Sequence, residues 1–317
     1  MWYGKKLKRI KIMIWFKKKQ FNIPLGGCEK SPLDSRDVLL STIQPIIVRI
    51  PEECPAPFDL TILNQGQNPY CVGFSSATLK QEREMRERNL LTFDGEWIYK
   101  KCKELDQCPN MSGTWLRIAM KVLQKQGAKP IDGLEEDAQK YKIGSYAKVD
   151  ELTFEGLKKA IFVNGMVIAG FTGSNAGWQS AYIRPPKLGE SIWGHAISLI
   201  GYNKDYIVGQ NSWGTNWGDK GLFYVPKDYL PFEAWAILTD RPSEFLMPSG
   251  LEGWVAESYL RKIFIKGDIV FPYTRLNIRE IPAGQKIKTL EKGEKLEILG
   301  ETQEKNGYLW QKVKIIL

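Results

Sequence analysis

Residues 64–88 read NQGQNPYCVGFSSATLKQEREMRER. Turn-forming residues (Asn64, Gly66, Asn68, Pro69) crowd the first part and hold a loop. From Cys71 onward there is no proline, one early glycine, and apolar residues at Val72, Phe74, Ala77 and Leu79. That spacing predicts a helix over 71–88 whose first half is buried and whose charged end emerges into water. The loop therefore delivers a cysteine to the first turn of a helix. Unpaired N–H groups and a partial positive charge gather there, and both favour thiolate over thiol. A plain buried cysteine is the alternative reading of Cys71 taken alone.

Outward from this stretch the chain changes character twice. Upstream, Pro24, Gly26-Gly27, Pro32, Pro45, Pro51, Pro55 and Pro57 predict an extended lead-in over 24–58, not a helix. Downstream, helices are predicted over 95–105, 114–126 and 152–163. Past residue 165 come short apolar runs at 166–169, 196–200, 206–208 and 222–225, separated by Gly- and Asn-rich turns, which read as strands. Helices first and strands second favour α+β over an alternating α/β sheet. A break at 241–250 (RPSEFLMPSG) precedes a small all-β module, with strands at 296–298 and 310–316 and turns at Gly293 and Asn306-Gly307.

The chain has one histidine, in Trp193-Gly194-His195-Ala196-Ile197-Ser198. It opens an apolar strand after a glycine, so its ring belongs at a strand edge. A lone histidine is more often structural than catalytic; its partners change that balance. In Gln210-Asn211-Ser212-Trp213-Gly214, an asparagine amide can hold an imidazole in one orientation without adding charge, and a neighbouring tryptophan can keep water off that hydrogen bond. A glycine-rich turn with packing tryptophans is the bland reading of the same residues.

Gln65-Gly66 followed by Cys71, then Gly194-His195-Ala196, then Asn211-Ser212-Trp213-Gly214, resembles the papain-like cysteine peptidases. Cys71 precedes His195 by 124 residues and Asn211 by 140, close to the roughly 130–150 residues for which papain itself is the reference case. The resemblance implies a two-lobed α+β fold, one helical lobe and one antiparallel β lobe. It implies Cys71 as nucleophile, His195 as general acid/base, Asn211 as its orienter and Gln65 as the side-chain oxyanion donor beside the Cys71 N–H. Trp213 would shield the His–Asn bond. Ser112-Gly113 looks like the glycine segment that borders the substrate groove in bacterial relatives. Ala169 is the expected lining of the pocket for the second residue before the scissile bond. No cofactor and no metal are implied.

The chain also departs from the family pattern. Asn68 and Val72 stand where most secreted members carry Cys and Trp, so the usual disulfide from that Cys cannot form. No inhibitory helical pro-segment is visible. Ser31-Pro32-Leu33-Asp34-Ser35-Arg36-Asp37 instead resembles the lead-in of prokaryotic and viral members, and whether residues 1–30 form a short removable piece stays open. Cys102 and Cys108 could form a disulfide, while a zinc site is disfavoured for want of ligands. Beyond 253, Gly253-Trp254-Val255, Leu276 to Arg279 and Thr289 to Leu296 resemble a bacterial SH3-type domain. There the Gly-Trp-Val strand normally comes last, so the module is either permuted or carries the remnant of an earlier copy. The expected organisation is a basic tail (1–29), a peptidase domain (30–241), a linker (242–252) and an SH3-like β barrel (253–317).

In all, 45 basic and 36 acidic residues among 317 give a net charge of +9. Eight of the basic residues, and no acid, fall in residues 1–20, leaving a net of +1 over the remainder. The body gives no reason to expect nucleic acid as partner, and the tail is the part suited to an anionic surface. Its apolar core, Ile12 to Phe16, is shorter than the roughly 7–15 residues of a signal-peptide core. With no spanning segment either, a cytoplasmic or virion location is the expectation. A second start at Met13 would remove five of the basic residues and no motif. The sequence thus predicts a cysteine endopeptidase acting on a peptide or protein, with a C-terminal module for a peptide or cell-wall ligand. A peptidoglycan stem-peptide hydrolase and a non-catalytic binding or virion protein are the alternatives.

Overall fold

A computed structural model of the chain describes residues 21–316 except 22, 25, 44–49, 57–58, 88, 239–251, 257–268, 271–275, 281, 283–284, 291–294 and 307. Residues 1–20, which hold the basic run of the expected tail, and nearly all of the expected linker therefore lie outside the described residues, whereas Cys28–Glu29, expected in the tail, form a strand against the body of the domain. The elements in chain order are β1 (Cys28–Glu29), α1 (Leu40–Ile43), α2 (Cys71–Arg86), α3 (Gly95–Asp106), β2 (Thr114–Trp115), α4 (Leu116–Lys125), a 3-10 helix (Glu135–Tyr141), β3 (Ser145–Lys148), α5 (Phe154–Asn164), β4 (Val167–Ser174), β5 (Ile192–Tyr202), β6 (Tyr206–Gln210), β7 (Leu222–Pro226) and β8 (Glu233–Leu238). The C-terminal strands are β9 (Glu252–Ala256), β10 (Ile269–Val270), β11 (Leu276–Arg279), β12 (Lys286–Leu290), β13 (Lys295–Lys305) and β14 (Tyr308–Ile316).

Local chemistry sets the helix ends. The Asp94 carboxylate accepts from the Trp97 N–H (3.0 Å) and opens α3; the Thr153 hydroxyl accepts from the Gly156 N–H (3.0 Å) and opens α5. Both satisfy donors that a helix start leaves unpaired. Gln107, at φ 54°, takes the left-handed conformation that stops α3.

Strands β3 to β8 form one antiparallel sheet in the order β3-β8-β4-β5-β6-β7. The four strands expected past residue 165 fall within β4 to β7. Strands β3 and β8 were not expected. In β8, Glu233 to Ile237 are all buried, so no polar–apolar alternation announces that strand. Successive residues of β4 face opposite cores. Ala169 and Phe171 pack with Trp178, Trp217 and Phe223. Ile168 packs with α2, α3 and α4 through Val72, Leu79, Ile98 and Met120. The candidate site lies where the two faces meet: Cys71 belongs to the helix-covered core, while His195, opposite Phe171 in the register, faces Trp178 and Trp213 of the other.

Two expectations need correction. The lead-in is not wholly extended, because Leu40–Ile43 form a helical turn. More importantly, the charged end of α2 does not emerge into water: Lys80, Glu82, Arg83 and Glu84 are all buried. Their charges are matched locally instead. Lys80 pairs with Glu84 and Arg86 with Glu82, each one turn apart. Arg83 donates to the carbonyls of Asn164, at the end of α5, and Ile237 in β8 (2.8 Å). Burial holds its guanidinium down at about 10.

The C-terminal strands form a separate antiparallel sheet in the order β10-β13-β14-β9-β11-β12. Gly253, Trp254 and Val255 lie in β9, opposite Val313, Lys312 and Gln311 of β14, while β9 also pairs with β11. The Gly-Trp-Val segment is thus an inner strand of this sheet. Ile278, Leu296, Ile298, Val313 and Ile315 are buried there.

Replacing Arg83 by Leu strands two buried carbonyls and leaves Glu82 short of a neighbouring cation. We expect a loss of about 3–5 kcal/mol in unfolding free energy, read by urea denaturation. A loss below about 1 kcal/mol would show that α2 is not anchored through this side chain.

Candidate active site

The site is assembled where the stretch before α2 is stitched to the loop after β6. The Gln65 N–H donates to Ser212 O (2.9 Å), Gly214 N–H to Leu63 O (3.0 Å) and Gln210 Nε2 to Thr61 O (3.0 Å). These bonds fix Gln65 beside Asn211 although the two are far apart in sequence. The Ser212 hydroxyl donates to Gln65 Oε1 (2.7 Å), which orients the amide so that its nitrogen faces the Asn68–Cys71 turn. Nε2 gives one hydrogen to Asn68 O (2.7 Å); its second hydrogen remains for another acceptor.

His195 lies in β5 and is buried, with Nε2 2.9 Å from Asn211 Oδ1. The Ser212 backbone N–H donates to the same oxygen (2.8 Å), which identifies that amide atom as the acceptor. His195 Nε2 therefore carries a hydrogen, and Nδ1 is the nitrogen left to take or give a proton. The Trp213 ring covers the imidazole at 4.7 Å between centroids, and Trp178 meets it edge-on at 5.6 Å. Trp178 is itself held by Tyr229 Oη (3.0 Å), and its carbonyl accepts from Trp217 Nε1 (3.0 Å). Hydrocarbon walls thus surround the His195–Asn211 bond, where a hydrogen bond is electrostatically stronger than in water.

Cys71 is the first residue of α2, whose flank packs on β5: Ser198 Oγ donates to Ser75 O (3.2 Å). The Cys71 thiol lies within hydrogen-bonding reach of the backbone of Ala196, the residue after His195, and of Gly27. The helix start thus brings Cys71 beside the strand that carries His195.

Gly27 belongs to a feature the sequence reading did not locate. Residues 26–31 form a strap across the site. The Gly27 N–H donates to Gly194 O (3.0 Å), and Gly27 O accepts from the Thr114 N–H (3.0 Å). Strand β1 then runs parallel to β2, with Cys28 opposite Thr114 and Glu29 opposite Trp115. The fit leaves no room for side chains. A Cβ on Gly27 would stand 2.1 Å from Pro69 O, one on Gly113 2.6 Å from Gly27 O, and one on Gly194 1.9 Å from Cys28 O. Gly113 does admit a close polypeptide backbone, and the backbone it admits is the chain's own. The neighbouring Ser112 carbonyl accepts from Tyr99 Oη (2.6 Å). The only sequence signal for the strap was the doublet Gly26-Gly27.

The strap changes the expected electrostatics. Cys71 has no exposed surface, and burial pushes its thiol up to about 11. Burial likewise holds His195 down at about 4, against the raising effect of its bond to Asn211. Desolvation outweighs the helix start here, so thiol and imidazole are both neutral, contrary to the expectation of a favoured thiolate. Ala169, expected to line a substrate pocket, packs in the core with Phe171 and Trp178, while its neighbour Gly170 faces the strap, its Cβ position 3.1 Å from Cys28 Sγ.

Cys102 and Cys108 are both free. Lys103 anchors the segment around Cys108, its ammonium reaching Asp106 Oδ2, Cys108 O and Met111 O at 2.8 Å each and Gly113 O at 3.1 Å. Among the described residues, no three His, Cys, Asp or Glu side chains cluster as a metal site.

A helical layer packed against an antiparallel sheet is a fold with known counterparts. The fold is similar to xylellain, a cysteine protease from Xylella fastidiosa, with TM-score 0.61 and 23% identity, covering 72% of this chain and all of that one. It is also similar to a ragweed pollen cysteine protease in its proform, with TM-score 0.51 and 19% identity, covering 61% and 67% of the two chains. Among curated proteins, the chain is 26% identical to an uncharacterized peptidase C1-like protein of Acanthamoeba polyphaga mimivirus, over 65% of this chain and 83% of that one. It is 23% identical to cathepsin L of Sarcophaga peregrina, over 53% and 55%. The family model for papain family cysteine proteases matches residues 61–230. The chain belongs to this family, and it is a hydrolase of the cysteine peptidase class.

Substituting Gly27 by Val drives a side chain into Pro69 O and should lift the strap. We expect alkylation of Cys71 by iodoacetamide at pH 7.5, followed by peptide mass mapping, to accelerate at least about tenfold in the full chain. In the unsubstituted chain the rate should climb steeply between pH 7 and 10, as the thiolate fraction grows towards the thiol's pKa of about 11. Equal rates in both chains would show that the strap does not limit access.

Proposed function

We propose that the protein is a cysteine endopeptidase in which Cys71 attacks the peptide carbonyl. The observation that carries this reading is the His195 Nε2–Asn211 Oδ1 bond (2.9 Å) under Trp213, beside the helix start that bears Cys71. The geometry describes a closed form, and catalysis begins when the strap yields to a substrate. With water and substrate readmitted, the thiol proton passes to His195 Nδ1, giving a thiolate–imidazolium pair. The sulfur then bonds to the carbonyl carbon. Negative charge moves onto the carbonyl oxygen, where the Cys71 N–H and a Gln65 Nε2 hydrogen receive it. Collapse expels the amine, which takes the proton from His195 and leaves a thioester on Cys71. His195 then accepts a proton from water, the resulting hydroxide attacks the thioester, and the acid departs as the thiol reforms. Asn211 keeps the imidazole aligned through both halves.

The substrate is a peptide or protein. The sheet of β9 to β14 is proposed as an SH3-like module that binds a peptide or cell-wall fragment, with the inner position of β9 supporting a permuted order over a remnant copy.

Cys71→Ala should abolish hydrolysis of unstructured peptides and labelling by a thiol-directed epoxide at that site. Undiminished turnover would refute the assignment. Gln65→Ala should lower kcat by about 10²–10³ while changing KM little, as loss of an oxyanion donor does. Digestion of purified sacculi in preference to casein would redirect the reading to cell-wall stem peptides.

A further inference from the structure

Two side chains of α3, Tyr99 and Lys103, grip the segment that runs from the end of that helix to β2. They stand one turn apart and share a helix face. Lys103 Nζ reaches Asp106 Oδ2, Cys108 O and Met111 O at 2.8 Å each and Gly113 O at 3.1 Å. An ammonium has three hydrogens, so all of them are committed to this one segment. Tyr99 Oη donates to Ser112 O (2.6 Å). The segment depends on such a grip. Gln107, Pro109, Asn110 and Ser112 are exposed and Met111 is half-buried, so little apolar burial fixes its course. The Asp106 side chain has no exposed surface, and its charge would be costly there without the ammonium.

Tyr99 also faces the nucleophile's side. Its ring centroid lies 4.2 Å from that of Tyr70. Tyr70 immediately precedes Cys71, and its carbonyl accepts the Phe74 N–H (3.0 Å) as α2 begins. The two helices meet with no side chain between them at one point, where a Cβ on Gly73 would stand 2.2 Å from Gly95 O. Helix α3 is thus a bar with the Cys71 turn on one side and the backbone of residues 112–114 on the other. That backbone already takes an extended partner: Gly27 O accepts the Thr114 N–H (3.0 Å), and β1 runs alongside β2.

We propose that Lys103 and Tyr99 are positioning residues of this peptidase: they hold the backbone of residues 112–114 at the distance from Cys71 at which an extended substrate pairs with it. Neither touches the reacting atoms. The inference rests on the proposed roles of Cys71 and Gly113. A contact along this strip is made before the attack and during it alike, so its loss is felt in KM and not in kcat. A reactant too small to reach the strip does not feel the loss at all.

The test uses the full chain carrying Gly27→Val as parent, because Thr114 also holds the strap and a change in strap closure would otherwise mask the effect. Two substrates are compared: an unstructured peptide, and p-nitrophenyl acetate, which delivers only an acetyl group to Cys71. Lys103→Met keeps the apolar stem and removes the ammonium. It should raise KM for the peptide at least about tenfold with kcat within about twofold of the parent, and leave turnover of the acetate unchanged. Tyr99→Phe keeps the ring on Tyr70 and removes only the bond to Ser112 O. It should raise KM for the peptide about threefold, again with the acetate unaffected. A peptide KM within about twofold of the parent, in either variant that folds, overturns the inference. So does an equal loss on peptide and acetate, which would mark a general disturbance of Cys71. If the parent cleaves no peptide at all, the endopeptidase reading itself fails, and the positioning inference falls with it.

Discussion

Helix α2 is buried at every position from Cys71 to Glu84 except Phe74 while carrying lysine, arginine and glutamate side chains, and the protein can tolerate this only because each charge finds a partner on the spot. An unpartnered ion at such depth would cost several kcal/mol. Arg83 extends that matching outward, tying the helix to the carbonyls of α5 and β8. The position of Cys71 follows from it. A side chain on the first turn of a helix is only as well placed as the helix, and this one is fixed at its far end by charge and at its near end by packing against β5. The sheet in turn fixes His195, and the stitched loop fixes Asn211 and Gln65.

Much of the site was legible in the sequence because each of its parts is a local signal. A turn-rich loop before Cys71, one histidine at a strand start, and an Asn-Ser-Trp-Gly turn need no knowledge of the fold to be noticed. Their convergence needs the fold, and the family resemblance supplied it. What escaped the reading was non-local. The burial of the α2 charges depends on α5 and β8, whose carbonyls lie about 80 and 154 residues away. Strand β8 lacks alternation because both of its faces are covered. Ala169 and Gly170 face opposite sides of β4, because in a period-two element a shift of one residue exchanges the two faces.

The strap was the hardest feature to foresee and has the largest effect on chemistry. A thiol at a helix start is ordinarily acidified, yet here the local desolvation reverses the direction. The reversal needs no charge of its own, only the exclusion of water by a backbone thin enough to pass between Gly113 and Gly194. Reactivity at Cys71 is therefore set by a segment more than forty residues earlier in the chain.

The Lys103 ammonium gathers three carbonyls and a carboxylate from the segment beside the cleft. The two cysteines nearest to it, Cys102 and Cys108, form no disulfide. The segment from Asp106 to Gly113 is thus held by electrostatics where a covalent sulfur bridge could have served. A reducing medium strong enough to keep the Cys71 sulfur from oxidising would break no disulfide among the described cysteines. Durability of the groove and readiness of the thiol are not in competition in this molecule.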